Sequence, residues 1–177
     1  MSIRSLEENE VVPIGTVGEI CTLGYGNMIA YHANEIATRE TIDAEGWLHT
    51  GDLGEMDVRG YLKITGRVKD MIIRGGENYF PAEIENILLE HPSVAEAVVV
   101  GLPDAKWGEI IACFIRPADG QVFDSSVLRQ HCREHLAPQK TPVKWCQVNA
   151  YPQTGSGKIQ KYILREKYLS GEYEMQC

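Results

Sequence analysis

The chain has 177 residues, enough for one ordinary domain or for one small domain and part of another. Its 17 basic and 25 acidic side chains leave a formal charge of -8 and a pI near 5.1, which argues against nucleic acid or an anionic membrane as the main partner. No apolar run approaches the length of a membrane span, and no charged-then-apolar leader opens the chain. Five cysteines, Cys21, Cys113, Cys132, Cys146 and Cys177, are scattered without a C-x-x-C pair, the pattern of reduced thiols. A cytoplasmic protein is expected.

The first third is dense in glycine and in short alternating runs, "TVGEICTL", "GWLHTGDLGEM" and "GYLKITG", which read as strands separated by turns. One helix-prone insert lies at Glu35 to Thr41. Few apolar residues per strand mark this region as a piece of a larger β-rich layer. From Arg67 onward the pattern changes. "VKDMIIRGG" reads as a strand ending in a double-glycine turn, and Pro81 opens a helix with Ile84, Ile87 and Leu88 on one face. "VAEAVVVGL" and "EIIACFIRP" are apolar enough for central strands. Asp124 or Ser125 can cap a helix whose Val127, Leu128, Cys132 and Leu136 are expected to face inward, with Pro138 ending it. "VKWCQVNAY" is a third strand and "KIQKYILREKYL" a last helix. The expectation is an α+β fold: a small domain with a central three-stranded sheet flanked by helices, plus a β-hairpin, preceded by a β-rich remnant.

Two stretches carry chemistry on their residues alone. "PQTGSGKIQK" (152 to 161) ends in a glycine-flanked lysine, but it is not a nucleotide P-loop. The residue five before Gly157 is Pro152, and Ile159 after Lys158 has no hydroxyl for magnesium. Lys158 is therefore a lysine on a mobile loop or a plain surface lysine. Lys158, Lys161, Arg165 and Lys167 together resemble an ordinary solvated face. His131 and His135 bracket Cys132 at a spacing zinc could use, yet no second ligand cluster accompanies them, so no metal site is expected.

Four stretches in register resolve the choice for Lys158. "GWLHTGD" (46 to 52), "GYLKITGRVKDMIIRGGENYFPAEIE" (60 to 85), "VVVGLPDAKWGE" (98 to 109) and "PQTGSGKIQK" closely resemble the C-terminal third of the adenylate-forming enzymes, in particular acyl-CoA synthetases of the fatty and medium-chain type. The resemblance implies a reaction in two steps: a carboxylic acid attacks the α-phosphate of ATP to give acyl-AMP and pyrophosphate, then coenzyme A displaces AMP. It implies that Asp52 and Arg67 contact the ribose and that Lys69 is the hinge of a mobile C-terminal domain, with Asp70 as rival. Gly75 and Gly76 would line the pantetheine tunnel. Lys158 would enter the active site to offset repulsion between the carboxylate and the α-phosphate. Trp107 could face coenzyme A, though a packed aromatic is the expected role.

The implied domains are 1–67, the tail of the N-terminal adenylation domain, and 68–177, the mobile C-terminal domain with its hinge near 69. The phosphate loop, acyl pocket and magnesium-binding glutamate of the family do not occur in the chain, so it is expected to be a fragment that is inactive alone. Its implied partners are a carboxylic (fatty) acid, ATP or AMP, coenzyme A and an N-terminal domain; magnesium is expected in the full enzyme and not on this chain. A homo-oligomer is compatible with the sequence. Ala30 stands where the family usually has glycine, which affects a local turn and no catalytic residue. The alternatives are a stand-alone interaction module and an adenylating enzyme that loads a carrier protein.

Overall fold

The structure, a computed structural model, describes residues 1–173; Cys177 lies outside the described residues. The chain divides into two compact units, Met1–Lys69 and a second from Asp70 onward. The first is a four-stranded antiparallel sheet of β1 (Ser2–Arg4), β2 (Gly18–Thr22), β3 (Leu48–Met56) and β4 (Leu62–Arg67), in that spatial order. Helix α1 (Glu35–Thr41) joins β2 to β3, and the Asn34 side chain accepts the Ala37 N–H at its start. Ile3, Ile20, Cys21 and Leu53 are buried, whereas Val11, Ile14, Tyr25, Ile29 and Ile36 are exposed.

The second unit is built on β7 (Val94–Asp104) and β8 (Gly108–Pro117), an antiparallel pair. The other edge of β8 is shared by β9 (Lys144–Gln147), which runs parallel to it, and by β5 (Ile72–Arg74) of the hairpin formed with β6 (Glu77–Tyr79). This is the expected three-stranded sheet with a hairpin added. Strands β7 and β8 are continuous apolar runs because both of their faces are covered. On one face Val99, Ile111, Cys113 and Trp145 pack with Ile84 and Leu88 of α2 (Pro81–Leu89) and with Leu128 and Cys132 of α3 (Ser125–His135). On the other, Val98, Val100, Ala112, Phe114 and Cys146 pack with Leu164 of α4 (Lys161–Leu169).

Local chemistry explains the helix starts. Pro81 occupies the first turn of α2, and the Asp124 carboxylate caps α3 by accepting the Ser126 and Val127 N–H groups. Three details depart from the sequence reading. Val68–Asp70 form a 3-10 turn, so the strand begins only at Ile72. Val127 is 46% exposed, because Leu128 and Cys132, one turn apart, already define the buried stripe and Val127 lies a third of a turn away. The last helix begins at Lys161, leaving Lys158 on the loop before it.

Candidate functional site

Asp52 is presented by a break in strand register. Cys21 of β2 faces His49 of β3 and Glu19 faces Leu53, so Ile20 alone opposes Thr50, Gly51 and Asp52. The extra residues bulge out of the ladder. Gly51 takes the left-handed conformation at φ 72° that such a turn requires. The Thr50 hydroxyl donates to Ile20 O at 2.7 Å and accepts the Asp52 N–H at 3.1 Å. Glu19 completes the fastening: Oε1 accepts the Gly51 N–H at 2.9 Å and Oε2 lies 2.7 Å from His49 Nδ1. Beyond the bulge, Asp52 pairs in register with Arg67 of β4, and Arg67 Nε is 3.0 Å from Asp52 Oδ1. The two side chains are 31% (Asp52) and 54% (Arg67) exposed, so the pair meets solvent and one carboxylate oxygen has no partner among the described residues.

Lys69 is the exposed middle residue of the 3-10 turn Val68–Asp70 and the last residue of the first unit. Gly75 and Gly76 form the turn between β5 and β6, both left-handed at φ 63° and 83°. The Gly75 N–H donates to Trp107 O at 2.8 Å, and a Cβ at Gly75 would come within 3.0 Å of the Trp107 ring. Trp107 is 41% exposed rather than packed into the core. Its ring lies 5.1 Å from the Arg74 guanidinium carbon and 4.8 Å from Lys106 Nζ.

Lys158 projects from a closed loop. Gln153 and Ile159 form a bridge, Thr154 N–H donates to Lys158 O at 2.9 Å, and the Lys158 N–H returns to Thr154 Oγ1 at 3.1 Å. The Gln160 N–H closes the base on Pro152 O at 2.9 Å. The Lys158 side chain is exposed, and its ammonium has no partner among the described residues. Lys161, three residues on, does the opposite. Its Nζ lies 2.7 Å from Glu85 Oε1 and 3.2 Å from Val99 O, with the Lys161 and Glu85 side chains only 24% and 18% exposed. Arg165 likewise reaches Glu109 at 3.1 Å. Lys167 lies 3.5 Å from Glu172, so of the four residues read as a solvated face only Lys158 has no partner among the described residues; a lysine paired across 76 positions leaves no local signal in a sequence.

His131 Nε2 bonds Ile87 O and His135 Nδ1 bonds His131 O, so both rings are engaged with backbone. Among the described residues, the one group with metal-ligand spacing is Glu19, Cys21 and His49. Burial, reinforced by the Glu19 charge, pushes the Cys21 thiol up to about 11, which keeps it protonated at neutral pH. The Glu19–His49 hydrogen bond accounts for the closeness.

Residues 83–158 match the AMP-binding enzyme C-terminal domain. The chain is 45% identical over 164 residues to a 2-succinylbenzoate–CoA ligase of Bacillus cereus, covering 93% of this chain and 34% of the ligase. It is 44% identical over 158 residues to the mitochondrial medium-chain acyl-CoA ligase of Danio rerio, covering 89% of this chain and 26% of that enzyme. This chain belongs to the adenylate-forming, AMP-binding enzymes. A fatty acid–[acyl-carrier-protein] ligase of Streptomyces coeruleorubidus is 42% identical over 161 residues, covering 91% of this chain and 31% of that ligase. Among solved structures of the family, ATP-bound MatB from Rhodopseudomonas palustris superposes with a TM-score of 0.89 at 34% identity, over 94% of this chain and 33% of MatB. The chain therefore spans about a third or less of the length of the relatives it matches. Among the described residues no helix is long and apolar enough to cross a membrane.

Proposed function

We propose that the chain serves as the C-terminal part of an acyl-CoA synthetase and supplies three elements to it. Asp52 and Arg67 hold the ribose of ATP and of acyl-AMP: the free carboxylate oxygen of Asp52 accepts a sugar hydroxyl, while Arg67 fixes the other oxygen. Lys158 carries the first half-reaction. Its ammonium sits between the attacking carboxylate and the α-phosphate, offsets the repulsion of two anions and stabilises the charge that builds in the transition state. Gly75 and Gly76 line the path of the pantetheine arm in the second half-reaction, where the thiol attacks the acyl carbonyl and AMP leaves. Lys69 is the hinge between the two arrangements. A fatty or medium-chain acid is the proposed substrate, supported by the name of the Danio rerio relative. The Streptomyces relative supports a second reading, with a carrier-protein thiol as the acceptor. Four buried free thiols, Cys21, Cys113, Cys132 and Cys146, support a reducing, cytosolic setting. The chain alone is proposed to be inactive.

The observation that carries this reading is the unpaired ammonium of Lys158 on a hydrogen-bonded loop whose neighbour Lys161 is anchored. It is tested in a hybrid in which this chain replaces the matching 164-residue segment of the Bacillus cereus ligase, with 2-succinylbenzoate as the acid. Lys158→Ala should slow ATP–pyrophosphate exchange by roughly 100-fold to 1000-fold, the scale for losing one preorganised charge-stabilising group. Thioester formation from supplied acyl-AMP should stay within about 3-fold of the parent hybrid, since the lysine acts only in the first step. Equal damage to both steps would refute the assignment.

A further inference from the structure

We infer that Glu19, held by His49, is a positioning residue for the nucleotide: it shapes the bulge that displays Asp52. The inference rests on Asp52 being the ribose contact. The Glu19 carboxylate is the junction of three parts of the first unit. One oxygen accepts the Gly51 N–H at 2.9 Å, the other lies 2.7 Å from His49 Nδ1, and Glu19 itself stands on β2 opposite Leu53. On its far side the His49 ring is bounded by Asp43, with Nε2 3.7 Å from Oδ2. Asp43 is in turn tied down by the Trp47 and Glu45 N–H groups and by the Asn9 side-chain amide.

An unpaired bulge leaves its central amide without a ladder partner, and a buried or half-buried amide needs an acceptor. At Gly51 that acceptor is Glu19 rather than the neighbouring strand. The Asp52 N–H is satisfied from inside the bulge by Thr50, so the bonds of Glu19 and Thr50 set the direction in which the Asp52 side chain leaves the sheet. His49 restrains the carboxylate that does the holding, because a carboxylate bonded through both oxygens cannot rotate. The chain of contact runs from Asp43 through His49 and Glu19 to Gly51, and ends one residue short of the group proposed to touch the ribose.

Two arms test this. On the chain as it stands, Glu19→Leu should raise the hydrogen-exchange rate of the Gly51 amide at least about 10-fold and broaden the Arg67 Nε–H resonance. Glu19→Gln, which keeps a carbonyl acceptor, should stay within about 3-fold of the parent. Unchanged Gly51 and Arg67 signals in a folded Glu19→Leu chain would overturn the holding role. Should that variant not fold, His49→Phe removes the restraint and leaves the Gly51 acceptor in place; a Gly51 exchange rate equal to the parent's would then overturn it. In the hybrid ligase, Glu19→Leu should lower kcat/KM for ATP about 10-fold, mainly through KM, and that for the 2′,3′-dideoxy analogue of ATP by less than about 3-fold. Equal losses for both nucleotides would make Glu19 structural only. Asp52→Asn is the control for the underlying reading: if it leaves discrimination between the two nucleotides intact, the ribose contact is wrong and the positioning role falls with it, whatever the Gly51 amide shows.

Discussion

Replacing Lys161 by methionine should destabilise the second unit far more than removal of a surface lysine does. The methionine keeps most of the apolar stem and deletes the ammonium, so the change isolates the bonds to Glu85 at 2.7 Å and Val99 O at 3.2 Å. Breaking a fully buried pair costs about 3–5 kcal/mol, because the surviving charge is stranded. Here the Lys161 and Glu85 side chains are 24% and 18% exposed, so water reaches the orphaned carboxylate in part, and Glu85 keeps the Val99 N–H at 2.7 Å. Roughly 2 kcal/mol remains after that discount, a fall in Tm of about 8–10 °C for a domain of this size. Urea unfolding followed by the fluorescence of Trp145, which is buried in this unit, measures it. Combining Lys161→Met with Glu85→Gln removes the stranded charge while keeping an acceptor for Val99. The double variant should therefore recover to within about 1 kcal/mol of the parent. A loss under about 0.5 kcal/mol for Lys161→Met, with no recovery in the double variant, would show Lys161 to be a solvated surface residue and would refute the anchor.

Gly75→Ala should cost about 1–2 kcal/mol by urea unfolding, since it adds a 3.0 Å approach to Trp107 to the left-handed strain, whereas Gly76→Ala carries the strain alone and should cost about 1 kcal/mol. A larger loss at Gly76 than at Gly75 would contradict the geometry. His91 is held below its usual range by burial and then by the nearby His131. The unfolded chain therefore takes up its proton first as pH falls below about 6.5, so this contribution to stability is complete above that pH and is lost as the pH drops toward the lowered value of the folded state. In urea titrations from pH 7 to pH 5, His91→Gln should flatten part of the decline in stability; identical pH profiles for variant and parent would refute it.

What was legible in the sequence depended on whether its cause was local. Pro81 with Ile84, Ile87 and Leu88 marks α2 because a helix start and an apolar stripe are both written within a few residues. The runs "VAEAVVVGL" and "EIIACFIRP" read as central strands because burial on both faces removes polar alternation. The four motifs in register carried the family for the same reason: each is a short, contiguous stretch. What was not legible was made by distance in sequence. Glu85 and Lys161 meet across 76 positions, Glu19 and Gly51 across 32, and neither partner carries a mark of the other. The bulge at Thr50 to Asp52 is a mismatch of register between two strands, a property of the pair that neither strand holds alone. Trp107 shows the same limit. A tryptophan in a turn has an apolar body that favours burial, whereas here its turn is fastened by Asp104 and its ring meets Gly75 and the flanking cations Arg74 and Lys106 at the surface.

The two units hold their candidate residues by different physics. In the second unit, Lys158 stands on a loop that grows out of a sheet covered on both faces, and its base is tied to that core through Lys161, Glu85 and Val99. A loop anchored in this way can keep a free ammonium, because the apolar packing that fixes its ends is unaffected by what the lysine does. The first unit buries only Ile3, Ile20, Cys21 and Leu53 among its apolar side chains, too few to hold a turn by packing. Asp52 is instead set by polar contacts, from Thr50 to Ile20, from Gly51 to Glu19 and from Arg67 to the carboxylate. Hydrogen bonds are directional where apolar contacts are not. A thin sheet can thus aim one carboxylate accurately while having little core of its own, which is why Glu19 bears on Asp52 although it touches no part of that side chain.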